Sequence, residues 1–98
     1  MEITTEKNGT ALTVALAGRL DTSTAPQLEA ELKNHYDDIT ELKFDFEKLE
    51  YISSAGLRVL LTAQKTMNNR GEMCICNVNS DIMEVFDITG FGDILTIV

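Results

Sequence analysis

The stretch Leu42-Lys43-Phe44-Asp45-Phe46, continuing through Leu49-Glu50-Tyr51-Ile52 into Ser53-Ser54-Ala55-Gly56-Leu57-Arg58-Val59-Leu60-Leu61, decides the fold. Its first five residues alternate apolar and polar, the pattern of a strand with one face buried. From Ser54 onward, Leu57, Leu60, Leu61, Gln64 and Met67 recur at the spacing of one helical face. A strand over Leu42 to Phe46 therefore passes through a short connector into a helix running to about Asn69. Two hydroxyls and a glycine fall where that helix begins. The first helical turn has free N–H groups and the positive end of the macrodipole, so it suits a serine cap or an anion. Gly56 costs about 1 kcal/mol relative to alanine in a helix. Either close packing of the helix start on the sheet or the close approach of a partner's backbone would offset that cost.

Toward the N-terminus, Ile3 to Lys7 and Ala11 to Ala17 are two strands joined around Asn8-Gly9, a strong hairpin turn signal. Gly18-Arg19-Leu20-Asp21 leaves the sheet. Thr22-Ser23-Thr24 then offers N-cap hydroxyls ahead of Pro26, and Leu28, Leu32 and Tyr36 form one helical face. Toward the C-terminus, Asn68-Asn69-Arg70-Gly71 ends the second helix, with Gly71 expected in the left-handed cap conformation. Glu72 to Val78 is a fourth strand, Asp81 to Thr89 a third helix ended by Gly90, and Asp93 to Val98 a short closing strand. The order β-β-α-β-α-β-α-β implies one α/β domain over residues 1–98. Crossover helices make its mixed sheet parallel in the centre, with the helices packed against it.

Composition narrows the function. The chain has 98 residues, 44% of them apolar, enough for one core and no second domain. Its net charge of −8 is spread evenly: residues 1–49 carry ten acids and five bases, residues 50–98 six and three. No basic patch points to nucleic acid or to anionic membrane. The N-terminus lacks a signal peptide's basic and apolar regions, and no apolar run approaches the ~18 residues of a membrane span, so a cytoplasmic location is expected. Cys74 and Cys76 share one strand face about 6.6 Å apart, unfavourable for a disulfide. They are expected to be buried, inert thiols. No metal site and no cofactor is expected.

Catalysis finds little footing. A nucleophile elbow needs glycine two residues before the serine, and Ile52 holds that place for Ser54. The single histidine, His35, lies near the end of the first helix among polar residues. No phosphate-binding glycine loop is present. The reading is a non-enzymatic scaffold that presents a site, with Ser53 and Ser54 as caps, contact residues or both.

Four patches carry a resemblance over essentially the whole chain: Leu16-Ala17-Gly18-Arg19-Leu20-Asp21 with Thr24-Ala25; Leu49 to Leu61; Arg70-Gly71-Glu72-Met73; and Val85-Phe86-Asp87-Ile88-Thr89-Gly90-Phe91. In this order and spacing they resemble the STAS domain family, specifically its bacterial anti-sigma factor antagonists. The resemblance implies that Ser54, two before the glycine, is the phosphoacceptor. It further implies that the unphosphorylated form binds an anti-sigma factor serine kinase and frees the sigma factor. Phosphorylation would end binding, and a serine phosphatase of the metal-dependent type would restore it. Ser53 stands where aspartate is common, making it a rival acceptor, and Ala55 stands where a second hydroxyl is common. The partner surface implied comprises Asp21, Thr22, Ser23 and Thr24 together with Ser53, Ala55, Gly56, Leu57 and Arg58. Arg58, one turn after Ser54, is a candidate to pair with the phosphate; otherwise it faces solvent. A free monomer is expected. Two alternative roles share the motifs: a STAS regulator of a non-sigma signalling or secretion pathway, or a never-phosphorylated STAS subunit of a membrane transport complex.

Overall fold

The computed structural model describes residues 1–98. Strands β1 (Glu2–Asn8) and β2 (Ala11–Leu20) form an antiparallel hairpin, Gly9 supplying the positive φ of its turn at 64°. Helix α1 (Ala25–Lys33) leads through a short 3-10 turn at Tyr36–Asp38 to β3 (Glu41–Ile52), which joins β2 in parallel. Helix α2 (Ser54–Asn68) crosses to β4 (Glu72–Cys76), parallel to β3, and α3 (Ser80–Thr89) follows. The sheet order is β1-β2-β3-β4. This is the mixed sheet, parallel in its centre, that the alternation of strands and helices requires.

Leu12, Val14 and Leu16 of β2, Leu42, Phe44 and Phe46 of β3, and Met73 and Ile75 of β4 are buried on one face. Helix α1 covers them with Leu28 and Leu32, α2 with Leu57, Leu60, Ala63 and Met67, and α3 with Ile82 and Phe86. The alternating residues Thr13, Ala15, Asp45, Cys74 and Cys76 are half-buried on the other face, and Lys43 is exposed there. Cys74 and Cys76 are thus free and partly open to solvent, not core residues. Burial and the Asp45 carboxylate push the Cys76 thiol above its usual pKa, which keeps it a weak nucleophile.

Several boundaries differ from the expected ones: β4 ends at Cys76, not Val78, and Tyr36 lies in the 3-10 turn beyond α1. Strand β3 runs on to Ile52 where a connector was expected, and β2 to Leu20, with Arg19 opposite Tyr51 and Leu20 opposite Ile52. Two register shifts, at Ala15/Ala17 and Gly18/Arg19, insert extra β3 residues and break the period of two. From Phe46 onward the buried residues of β3, Phe46, Leu49 and Ile52, are therefore spaced by three. The closing strand contracts to a 3-10 turn at Phe91–Asp93 and one parallel bridge, Ile75 to Ile97. Gly71 is not left-handed; Asn69 caps α2 in the right-handed region. A Cβ at Gly71 would clash with the backbone carbonyl of Thr40, so close approach of two chain segments selects this glycine. Gly90, by contrast, does cap α3 at φ 79°.

Candidate functional site

The parallel strands β2 and β3 end side by side, and the site is built on their C-terminal rim. The Ser53 amide donates to the Leu20 carbonyl at 2.9 Å, carrying the pairing one residue past the strand. Ser53 is extended (φ −100°, ψ 176°), and its Oγ accepts from the Gly56 amide at 3.4 Å. Its carbonyl accepts the first helical bond, from the Leu57 amide, at 2.9 Å. Ser53 is therefore the cap of α2. Ser54 is the first helical residue, exposed, and its hydroxyl points at no partner in the chain.

Gly56 is buried. A Cβ there would lie 2.7 Å from Leu20 Cγ and 2.9 Å from Ile52 Cγ1. The glycine brings the start of α2 down onto the ends of β2 and β3, so of the two explanations left open by the sequence, packing holds. Leu57 is 5% exposed and belongs to the core, so most of its side chain packs within the chain. Ala55 is half-buried and Arg58 exposed. Arg58 lies one turn beyond Ser54, where side chains share a helix face, and takes part in no ion pair.

The other wall of the site is the loop between β2 and α1. Asp21 Oδ1 accepts from the Ser23 hydroxyl at 2.8 Å, the Ser23 amide at 3.0 Å and the Thr24 amide at 3.2 Å. Thr24 Oγ1 accepts from the Asp21 amide at 2.8 Å and donates to the Arg19 carbonyl at 2.9 Å. The Ser23 and Thr24 hydroxyls, expected to cap α1, are instead spent within this loop, and Thr24 makes no side-chain cap bond. The Ser23 hydroxyl above all, opposed by desolvation and helped by the Thr24 and Ser23 amides and the Thr24 hydroxyl, holds the Asp21 carboxyl below its ordinary pKa. Thr22 and Ser23 are exposed. Asp21 to Thr24 and Ser53 to Arg58 thus form one rim, with Gly56 and Leu57 beneath it as its support.

One pair at this rim escaped the sequence reading. The Arg19 guanidinium carbon lies 4.1 Å from the Tyr51 ring centroid. Nothing local signals it, because the two are 32 positions apart and meet only once the β2–β3 register is fixed.

His35 follows α1 at the end away from the rim, roughly 15 Å along the helix axis, beside Glu31 at 3.4 Å. No group of three His, Cys, Asp or Glu side chains gathers as a metal site. The largest concavity, about 600 Å³, lies at the opposite end of the sheet, between Ala11, Glu41, Gln64 and Glu72. No helix is long and apolar enough to cross a membrane.

The sequence profile of the STAS domain matches residues 2–98. This chain belongs to the STAS domain family. Among STAS relatives it is 37% identical over 99% of its length to BtrV of Bordetella bronchiseptica, provisionally named an anti-sigma factor antagonist, spanning 85% of that protein. It is 28% identical over 94% of its length to the anti-sigma-B factor antagonist of Listeria monocytogenes, spanning 82% of it. Its STAS fold superposes on the Bacillus cell-fate determinant SpoIIAA in two forms. The unphosphorylated anti-sigma factor antagonist gives a TM-score of 0.80 at 20% identity, covering 99% of this chain and 87% of SpoIIAA. The phosphorylated form gives 0.79 at 20% identity, covering 99% and 91%.

Proposed function

We propose that this STAS domain is an anti-sigma factor antagonist that works by partner switching and is itself no enzyme. Unphosphorylated, it binds an anti-sigma factor that is also a serine kinase, and so frees a sigma factor in the cytoplasm. Transfer of phosphate to Ser54 ends that binding, and a metal-dependent serine phosphatase reverses it. The names of its relatives support the role. The observation that carries the assignment to Ser54 is its exposed, unbonded hydroxyl at the first position of α2, beside Ser53, whose hydroxyl is engaged as the cap.

The chemistry follows from charge. A phosphoserine adds roughly −1.5 to −2 at neutral pH. At an effective dielectric near 20, one unit charge about 6 Å from a like charge costs about 3 kcal/mol, and desolvating a dianion in an interface adds to that. A loss of about 3–4 kcal/mol weakens binding more than a hundredfold. The phosphate itself sits well at the start of α2, near free N–H groups and the positive end of the helix. The fold need not change for the switch to operate.

Incubation with the anti-sigma factor kinase and ATP tests this. Phosphate is expected on Ser54, absent from Ser54→Ala, and the phosphorylated chain is expected to release the kinase. Transfer to Ser53 would reassign the acceptor. Absence of both transfer and binding would overturn the reading in favour of a STAS subunit serving another complex.

A further inference from the structure

Arg19 and Tyr51 precede Leu20 and Ile52 on adjacent strands. Leu20 and Ile52 turn into the core, so strand alternation directs Arg19 and Tyr51 to the open face of the sheet at its rim. The guanidinium carbon lies over the ring, 4.1 Å from its centroid, and the Arg19 Nε is 3.9 Å from Asp21 Oδ2. That contact with Asp21 is long, and no other carboxylate pairs with Arg19. The pair is open to solvent: the Arg19 side chain is 61% exposed and Tyr51 41%. The ring and Asp21 thus hold a planar fork whose Nη edge is free to meet an acceptor from outside. A fork already held in place loses less freedom on binding, and arginine and tyrosine are the residue types that most often anchor interfaces.

Charge points to the kind of contact. The chain has two acids for every base. Yet this rim presents Arg19 and Arg58 without a short ion pair, whereas the remaining arginine, Arg70, is bound by Asp37 at 2.9 Å. Asp21 connects the stack to the Ser23–Thr24 wall, and the Ser53–Leu20 bond connects it to Ser54.

Resting on the antagonist reading above, we propose that the Arg19–Tyr51 stack is a second anchor for the anti-sigma factor, the guanidinium taking a carboxylate of that partner. The anchor also sharpens the switch. A phosphate on Ser54 repels the carboxylate that Arg19 receives, so modification opposes this contact as well as the one at the serine.

Calorimetric titration with an anti-sigma factor serine kinase that binds the wild-type chain tests the anchor, with thermal melts to show that each variant is folded. Arg19→Ala and Tyr51→Ala are expected to weaken binding about tenfold. Tyr51→Phe, which keeps the ring, is expected to stay within about twofold, and Arg19→Lys, which keeps the charge without the fork, to fall between. Arg19→Glu should weaken binding most, and a single Asp→Arg or Glu→Arg change on the kinase should restore it. Folded Arg19→Ala and Arg19→Glu variants that bind as wild type overturn the anchor alone. A wild-type chain that does not bind overturns the antagonist reading and the anchor with it.

Discussion

The Ser53 amide donates to the Leu20 carbonyl at 2.9 Å, and this bond sets the two walls of the rim against each other. Arg19 faces Tyr51 one residue before Leu20 and two before Ser53; directly after Leu20 and Ser53 come Asp21 and Ser54. The start of α2 is held there by Gly56, over Leu20 and Ile52. The site is a product of strand ends, not of a cavity.

Gly56→Ala should therefore destabilise the domain although alanine is the better helix former. The propensity gain of about 1 kcal/mol is outweighed by overpacking, which costs about 1–3 kcal/mol, because the new Cβ meets Leu20 Cγ at 2.7 Å. Denaturant unfolding should show a net loss of about 1 kcal/mol, the middle of the difference between these two terms. An unchanged or raised midpoint contradicts the packing account.

The adjacent serines should separate cleanly. Ser53→Ala removes the cap of α2, whose bond at 3.4 Å is long, and should cost about 0.5–1 kcal/mol. Ser54→Ala removes an exposed, unbonded hydroxyl and should stay within about 0.5 kcal/mol. Phosphate transfer should show the reverse order, lost in Ser54→Ala and kept in Ser53→Ala.

Arg58, free of ion pairs and one turn past Ser54, should pair with the phosphate. Phosphorus NMR titration of the phosphorylated chain should give a second phosphate pKa below that of a phosphoserine peptide, rising toward it in Arg58→Gln. Equal values in the two proteins would leave Arg58 facing solvent.

Acid stability should depend on Asp21. Its folded-state pKa is depressed, first by the Ser23 hydroxyl, so the contribution is present above the unfolded carboxylate value of about 3.9. It is lost as pH falls further, through the depressed value. Asp21→Asn should flatten that part of the stability profile while leaving its slope near neutral pH unchanged; an identical acid limb in the two proteins counts against the loop network.

Gln64 is 7% exposed, donates to Asn68 Oδ1 at 2.9 Å, and leaves its Oε1 buried without a partner. A buried unpaired acceptor costs about 1–3 kcal/mol. Gln64→Met, similar in shape and without the amide, should raise stability by about 1 kcal/mol in thermal unfolding. A loss instead would show that Oε1 is satisfied by bound water.

The sequence by itself determined the order of elements, the mixed sheet and the start of α2 at Ser54, because period-two and period-3.6 patterns and turn residues are local. It also placed Asp21 and Ser54 in family-like motifs. It missed the length of β3, since two inserted residues space Phe46, Leu49 and Ile52 by three and hide the strand. It misjudged Gly71, whose requirement comes from the Thr40 backbone, 31 positions away. It also expected Cys74 and Cys76 to be buried, because alternation marks a shared face but not whether helices cover it. Only the tertiary structure decided which serine caps and which is free, why Gly56 is glycine, and that Arg19 stacks on Tyr51. Each of those depends on which strand lies beside which, and in what register. Local propensity does not encode that information; packing between distant segments does.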